Sequence, residues 1–147
     1  MMNNELAVAL NGYLANLNVA YVKLHNLHWN VVGMNFKAIH EYLESLYDGL
    51  AESVDSVAEL VKMGGGIPAA SMKEYLELAD VKELPSVERP GAEVLSLVLA
   101  DFELMRGQAE RIRDLADGAG SYAVVDAMEG DLGHYNKAIW FIRAMMK

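Results

Sequence analysis

The sequence predicts an all-α fold, a single domain over residues 1–147 built as a bundle of four long helices. Four segments of about 25 residues repeat apolar residues at alternating steps of three and four, the period of a helix with one buried face. Breaks that contain glycine separate these segments, and the longest of them also holds all three prolines. No stretch shows the alternation typical of a strand, and a chain of 147 residues that is 53% hydrophobic can bury one sizeable core.

The first long helix is predicted from Asn4 to Val32. Its inward stripe is Leu6, Leu10, Tyr13, Leu17, Tyr21 and Leu24. His28 falls on the next step and should also face inward, before Gly33 breaks the helix. Residues 6–22 carry no charge, but they include three asparagines and fall short of the roughly 20 apolar residues of a membrane span. We therefore predict a buried helix and no membrane segment.

The second long helix should begin after Asn35, a plausible N-cap, and run to Met63. Its stripe is Ile39, Leu43, Leu46, Leu50, Val54, Val57 and Val61. The glycine run 64–66 and then Pro68 mark its end.

The segment from Gly64 to Gly91 holds all three prolines and is too long for a tight turn between neighbouring helices. Ser71 followed by Glu74 is a capping-box pattern, which predicts a short helix over 71–78. We interpret the whole segment as a crossover along the length of the bundle, the ferritin-like arrangement.

The third and fourth long helices are predicted over Ala92–Ala116 and Tyr122–Met146, with a break at Gly118–Gly120. The third should bury Leu95, Val98, Phe102, Met105, Ala109, Ile112 and Leu115. The fourth should bury Met128, Leu132, Tyr135, Ile139, Ile142 and Met146.

Composition excludes several classes of function. The chain has no cysteine, so disulfides, iron–sulfur clusters and thiol catalysis are excluded. A net charge of -9 argues against direct binding of nucleic acid and suits attraction of cations, although for the charge alone plain solubility is the favoured explanation. No basic residue precedes Lys23, so a secretory signal is not indicated, and we expect a cytoplasmic protein.

Histidines and carboxylates at helical spacing indicate a metal site. The second helix carries four of them on one face: His40, Glu44, Asp55 and Glu59. The preceding helix adds His28, with His25 one turn before it. Imidazole and carboxylate groups on facing helices are how a helical bundle binds a redox-active divalent metal, and this ligand mixture suits Fe(II), Mn(II) or Zn(II).

The spacing predicts that two subunits share each site. His28 and His40 lie six positions either side of Met34, so a hairpin places them at the same height. The stretch of helix from Glu44 to Asp55 spans about 16 Å, too far for one ion. Two antiparallel copies of the second helix would bring the pairs together. Each of two sites per dimer would then take His28, His40 and Glu44 from one subunit and Asp55 and Glu59 from the other. The alternative is that the carboxylates form a solvated face and His28 is a core residue.

The residues also match a known family. The stretch 28–36, HWNVVGMNF, then Ile39-His40-Glu41 and the Asp-x-x-Ala-Glu pattern over 55–59 resemble the Dps-type mini-ferritins, the family named for DNA protection during starvation. The resemblance extends from Tyr21 to Ile142.

This resemblance implies a four-helix subunit and a hollow cage of twelve copies. It implies a ferroxidase, typically using hydrogen peroxide on Fe(II), that stores ferric mineral and protects against oxidative damage. The implied ligands are His28 and His40 from one subunit and Asp55 and Glu59 from its neighbour. Iron is the implied metal, and Zn²⁺ or Mn²⁺ could occupy the same site.

Two departures from the family pattern matter. Glu44 stands where the family usually has aspartate, which affects the second metal position most. The lysine-rich N-terminal tail of DNA-binding members has no counterpart before Lys23, so we expect weak or no DNA binding. Two alternatives stay open: a DNA-compacting structural protein with a vestigial metal site, and a helical oligomer that binds Zn(II) or Mn(II) without turnover.

Overall fold

A computed structural model describes residues 2–147, so Met1, the first residue of the predicted domain, lies outside the described part. In chain order the elements are α1 (Asn4–Asn30), β1 (Val31–Val32), α2 (Phe36–Met63), α3 (Met72–Leu78), β2 (Arg89–Pro90), α4 (Gly91–Gly118) and α5 (Tyr122–Met146). The hairpins α1–α2 and α4–α5 pack through α1 and α4 around one core. The predicted four-helix bundle, with a long crossover that contains a short helix, is confirmed.

The first helix ends two residues earlier than the sequence predicts, because a short strand pair follows it. The first helix ends at Asn30 instead of Val32, because Val31 and Val32 pair in parallel with Arg89 and Pro90. Two residues are too few to show an alternating pattern, which is why the strand leaves no signal in the sequence. The pairing joins the α1–α2 turn to the point where the crossover enters α4.

The turn before α2 is built by glycine, and Asn35 occupies the predicted N-cap position without making a capping bond. Gly33 adopts a φ of 112°, a backbone conformation that L side chains rarely adopt, and its carbonyl accepts a hydrogen bond from the Phe36 amide at 3.1 Å. Asn35 does precede the helix, but its side chain makes no capping hydrogen bond.

The capping box at α3 is confirmed. The Ser71 hydroxyl oxygen accepts from the Glu74 amide at 3.3 Å, and the Glu74 carboxylate accepts from the Ser71 hydroxyl at 2.7 Å and from the Ala70 amide at 3.2 Å. These bonds satisfy donors at the start of the helix and fix where it begins within the crossover.

The core is the one that the helical stripes predict, apart from its margins. Most stripe residues are buried, and five lie at the edge of the core as half-buried residues: Tyr21, Leu46, Val54, Leu115 and Leu132. The predicted burial of Met146 is wrong, since this last residue of α5 is 44% exposed. Among residues 2–147, no helix combines the length and apolar character needed to cross a membrane.

Buried polar residues connect the elements in places that periodicity does not reveal. Tyr13 of α1 donates to the Asp131 carboxylate of α5 at 2.6 Å, and its hydroxyl lies 2.6 Å from that of Tyr135. Burial raises the pKa of Asp131 and of both tyrosines. The Ser53 hydroxyl adds a longer bond, 3.4 Å, from α2 to the same carboxylate.

Asn16 fixes the crossover to the first helix. Its side-chain oxygen accepts from the amides of Asp80 and Val81 at 2.7 and 2.9 Å, while its nitrogen donates to Gln108 of α4 at 2.9 Å. A fully buried asparagine therefore satisfies two crossover amides, including that of the buried Val81, which would otherwise lack a partner.

Candidate metal centre

His28 and His40 meet at the α1–α2 hairpin in a reciprocal arrangement. Their ring centroids lie 3.6 Å apart with an interplanar angle of 11°. The Nδ1 atom of His28 lies 2.6 Å from the backbone carbonyl oxygen of His40, and the Nδ1 atom of His40 lies 2.7 Å from that of His28. The equal distance of the two residues from the helix break predicted this common height. Each ring is therefore held by the backbone of the opposite helix.

The reciprocal bonds also determine which nitrogen of each ring is free. A backbone carbonyl only accepts hydrogen bonds, so both Nδ1 atoms carry a proton. In the neutral imidazole, Nε2 then presents a lone pair, which is the state that a metal ligand requires. A ligating histidine whose other nitrogen donates to a carbonyl is held in a fixed tautomer and orientation. The two rings of this pair thus have the tautomer and the fixed orientation that are expected of metal ligands.

Glu44 lies one turn beyond His40 on α2 and is exposed. Its carboxylate accepts a hydrogen bond from the Tyr47 hydroxyl at 3.3 Å. The Tyr47 ring stacks on His25 at 3.8 Å and meets the edge of His28 at 5.2 Å between centroids. Partial burial, and then the Glu44 carboxylate, raise the pKa of Tyr47, so its hydroxyl stays protonated and donates.

Asp55 and Glu59 are exposed on the same helix, but a single subunit does not bring them to the histidines. The fifteen residues from His40 to Asp55 correspond to about 22 Å along the helix axis. Across residues 2–147 of one subunit, no group of three histidine or carboxylate side chains is close enough to hold a metal ion. The sharing of these carboxylates between two subunits stays a prediction.

Exposed apolar side chains surround the histidine pair. Trp29 is 66% exposed and Met34 is 101% exposed, and both lie within six residues of a paired histidine. Phe36, 40% exposed, stacks on His40 with a centroid distance of 5.0 Å. Adjacent large apolar groups at this level of exposure are typical of a surface that another protein covers.

Tyr47 and His25 are the neighbours of the histidine pair that the predicted ligand set omits. Tyr47 and Tyr21 are equidistant from Met34, as His40 and His28 are, and their rings lie 5.9 Å apart. The same count of residues that pairs the histidines could therefore have found this tyrosine. His25 turns its Nδ1 to the Tyr21 carbonyl at 2.8 Å and its face to Tyr47, rather than joining the His28–His40 pair.

Comparison with known proteins finds ferritin-like relatives that match nearly all of the chain. The model of the ferritin-like domain matches residues 7–147. A DNA protection during starvation protein of Brevibacillus brevis is 39% identical over 142 residues, covering 97% of this chain and 95% of that protein. Antigen TpF1 of Treponema pallidum is also 39% identical, over 94% of this chain and 78% of that antigen.

Solved structures agree with the sequence relatives. The crystal structure of a Dps protein from Bacillus brevis superposes with a TM-score of 0.95 at 37% identity, with all of both chains covered. A Dps protein from Vibrio cholerae, described as a member of a broad superfamily of ferritin-like diiron-carboxylate proteins, has a TM-score of 0.93 at 29% identity over 97% of this chain and 89% of its own. The chain therefore belongs to the ferritin-like family as a Dps-type mini-ferritin, and an iron-related, protective role follows from that membership.

Proposed function

We propose that the protein is a ferroxidase and iron-storage protein that oxidises Fe(II), with hydrogen peroxide as the electron acceptor, and keeps the ferric product inside a cage. The observation that carries this proposal is the His28–His40 pair, whose bonded Nδ1 atoms leave two Nε2 lone pairs for a metal. Mixed imidazole and carboxylate ligands suit iron in both oxidation states, and a site without thiolate has no preference for soft metals.

The proposed centre forms between two subunits. His28, His40 and Glu44 of one subunit would face Asp55 and Glu59 of another across a two-fold axis. Its support is the geometry of one subunit, in which the histidines are paired and the exposed Asp55 and Glu59 lie too far along α2 to reach them. Isologous contact of α2 with its own copy brings the two ends together, and it produces two identical centres per dimer. We further propose that six such dimers form the dodecamer that the family resemblance implies.

The chemistry proposed for the centre consumes two Fe(II) for each peroxide. Each iron gives up one electron, the O–O bond of hydrogen peroxide breaks, and two protons complete two water molecules. Pairing the electrons at one centre avoids the release of a hydroxyl radical, which a single-electron reduction of peroxide would produce. Carboxylates from two subunits offset the added positive charge as each iron becomes trivalent.

Initial rates of Fe(II) oxidation by stoichiometric peroxide test this function. We expect rapid oxidation by the unaltered protein and a loss of more than about tenfold in His28→Ala and in Asp55→Ala, since each removes a ligand. The matched controls are His134→Ala and Asp114→Ala, which remove the same chemical groups from exposed positions on α5 and α4. Equal rates in all five proteins, or no rate above the buffer, would contradict the proposal.

Zn²⁺ or Mn²⁺ could occupy the same centre, because both accept imidazole and carboxylate ligands. A helical oligomer that only binds such ions would show no peroxide-dependent oxidation. Zn²⁺ added before Fe(II) should therefore inhibit the unaltered protein in proportion to the sites it fills. Inhibition that persists unchanged in His28→Ala would place the zinc elsewhere.

Protection of DNA is proposed to act through removal of iron and peroxide rather than through contact. Relatives bear the name DNA protection during starvation protein. A net charge of -9 opposes binding to a polyanion. We also propose a cytoplasmic location, because the DNA that such a protein would protect lies in the cytoplasm of bacteria. A gel-shift assay at low salt separates the alternatives: tight retention of DNA without iron oxidation would favour the DNA-compacting protein.

A further inference from the structure

Tyr47 contacts both kinds of ligand in the proposed metal centre. Its hydroxyl donates to the Glu44 carboxylate at 3.3 Å, and its ring lies edge-on to the His28 ring, with a centroid distance of 5.2 Å and an interplanar angle of 86°. Among residues 2–147, Tyr47 is the one aromatic residue whose ring packs on His28 and whose side chain also hydrogen-bonds Glu44. The tyrosine therefore joins the two helices of the hairpin at the level of the centre.

The position of Tyr47 is itself fixed from α1. His25 stacks on its ring at 3.8 Å with an interplanar angle of 23°, and the Tyr21 ring meets its edge at 5.9 Å. His25 is in turn held by the bond between its Nδ1 and the Tyr21 carbonyl at 2.8 Å. The hydroxyl thus belongs to a ring with little freedom to turn, and it can hold a more mobile partner.

Glu44 is that mobile partner. It is exposed, it has one more rotatable bond than aspartate, and its side chain accepts a hydrogen bond from Tyr47. A carboxylate free to sample several rotamers loses that freedom when it binds a metal, which weakens binding. A donor that holds the carboxylate near the histidines in advance reduces this loss.

We propose that Tyr47 is a positioning residue of the metal centre, which holds Glu44 beside the His28–His40 pair. This inference rests on the proposed function only in taking Glu44 and the histidines as ligands. It does not depend on turnover, because prior placement of a carboxylate acts on metal binding before any oxidation.

The test compares Tyr47→Phe with Tyr42→Phe in the assembled protein, using Zn²⁺ titrated in a calorimeter. Phenylalanine keeps the ring that stacks on His25 and removes only the hydroxyl. Tyr42 is the matched control, since it lies on the same helix and its ring stacks on Phe141, away from the histidines. We expect Tyr47→Phe to weaken Zn²⁺ binding about three- to tenfold, the scale of a lost hydrogen bond to a partly solvated charge, and Tyr42→Phe to leave it unchanged.

A second comparison separates positioning from general support of the fold. In a Glu44→Ala background, Tyr47→Phe should have no further effect on Zn²⁺ affinity, because the hydroxyl then has no carboxylate to hold. An equal loss in both backgrounds, unchanged affinity in Tyr47→Phe, or failure of Tyr47→Phe to assemble would each overturn the inference. Dependence of Zn²⁺ binding on Tyr47 in a protein that oxidises no iron would keep the inference and remove the ferroxidase. Iron oxidation by a protein indifferent to Tyr47→Phe would do the reverse.

Discussion

Two variants that are each inactive should restore activity when their subunits are mixed. His28→Ala lacks a histidine ligand and keeps its carboxylates, whereas Asp55→Ala lacks a carboxylate and keeps its histidines. In a mixed dimer, the proposed geometry would bring the histidines of the Asp55→Ala subunit to the intact carboxylates of the His28→Ala subunit. That dimer would have one complete centre, and its other centre would carry both defects.

The size of the recovery follows from counting. Random pairing of equal amounts gives about half mixed dimers, and one of the two centres in each is complete, so about one quarter of the unaltered rate should return. Each variant should keep its fold. Asp55 is exposed, and the His40 ring donates to the backbone carbonyl of residue 28, which the alanine substitution retains.

The assay is the initial rate of Fe(II) oxidation after the two variants are refolded together, with the fraction of mixed assemblies measured by native mass spectrometry. The control mixture is His28→Ala with His40→Ala, whose defects fall in the same half of the centre, so no pairing completes one. Mixed assemblies without recovered activity, or equal recovery in the control mixture, would refute the shared centre.

Three further predictions concern the buried polar groups. Tyr13→Phe should lower the free energy of unfolding by about 1–3 kcal/mol in urea titrations, since Asp131 and the Tyr135 hydroxyl lose a buried partner, while the rate of iron oxidation stays unchanged. Burial raises the pKa of Asp131 above 3.8, so its contribution to stability is fully present below pH 3.8 and is lost as pH rises through the raised pKa. Asp131→Asn should therefore gain stability relative to the unaltered protein as pH rises through that pKa. A constant difference in stability between the two proteins from pH 3 to pH 7 would contradict this. Lys23 contacts Asp101 at 2.7 Å with side chains 6% and 16% exposed, so Lys23→Met should cost about 3–5 kcal/mol and the double variant Lys23→Met, Asp101→Leu should recover most of it, as measured by the same titrations.

The sequence predicts the helices and the histidine pair because both depend on local counting. Apolar periodicity defines each long helix, and equal distance from one break places His28 and His40 at one height. Position counting along the hairpin would also have predicted the Tyr21–Tyr47 contact, had it been applied to aromatic residues. The reciprocal Nδ1 bonds go beyond counting, because they depend on how each ring turns toward the opposite backbone.

Contacts between distant parts of the chain escape local patterns. Val31 and Arg89 pair through two-residue strands, and neither segment has a periodicity that predicts this pairing. The partners of Asn16 are the amides of Asp80 and Val81, which only the path of the crossover brings near. The sharing of Asp55 and Glu59 with a second subunit is different, because their spacing along α2 already predicts it, and a single subunit leaves it a prediction.

The hairpin has a consequence for when the protein gains its ligands during synthesis. His28 and His40 are only 12 residues apart, so their contact closes a short loop at little entropic cost. The pairing of β1 with β2 must wait for the whole crossover to emerge, and the bundle waits for α4 and α5. A growing chain can therefore present both imidazoles early, with low affinity because Asp55 and Glu59 of a second subunit would still be absent. Tight binding of metal would then begin only when finished subunits associate, so subunit assembly would determine when the protein binds metal.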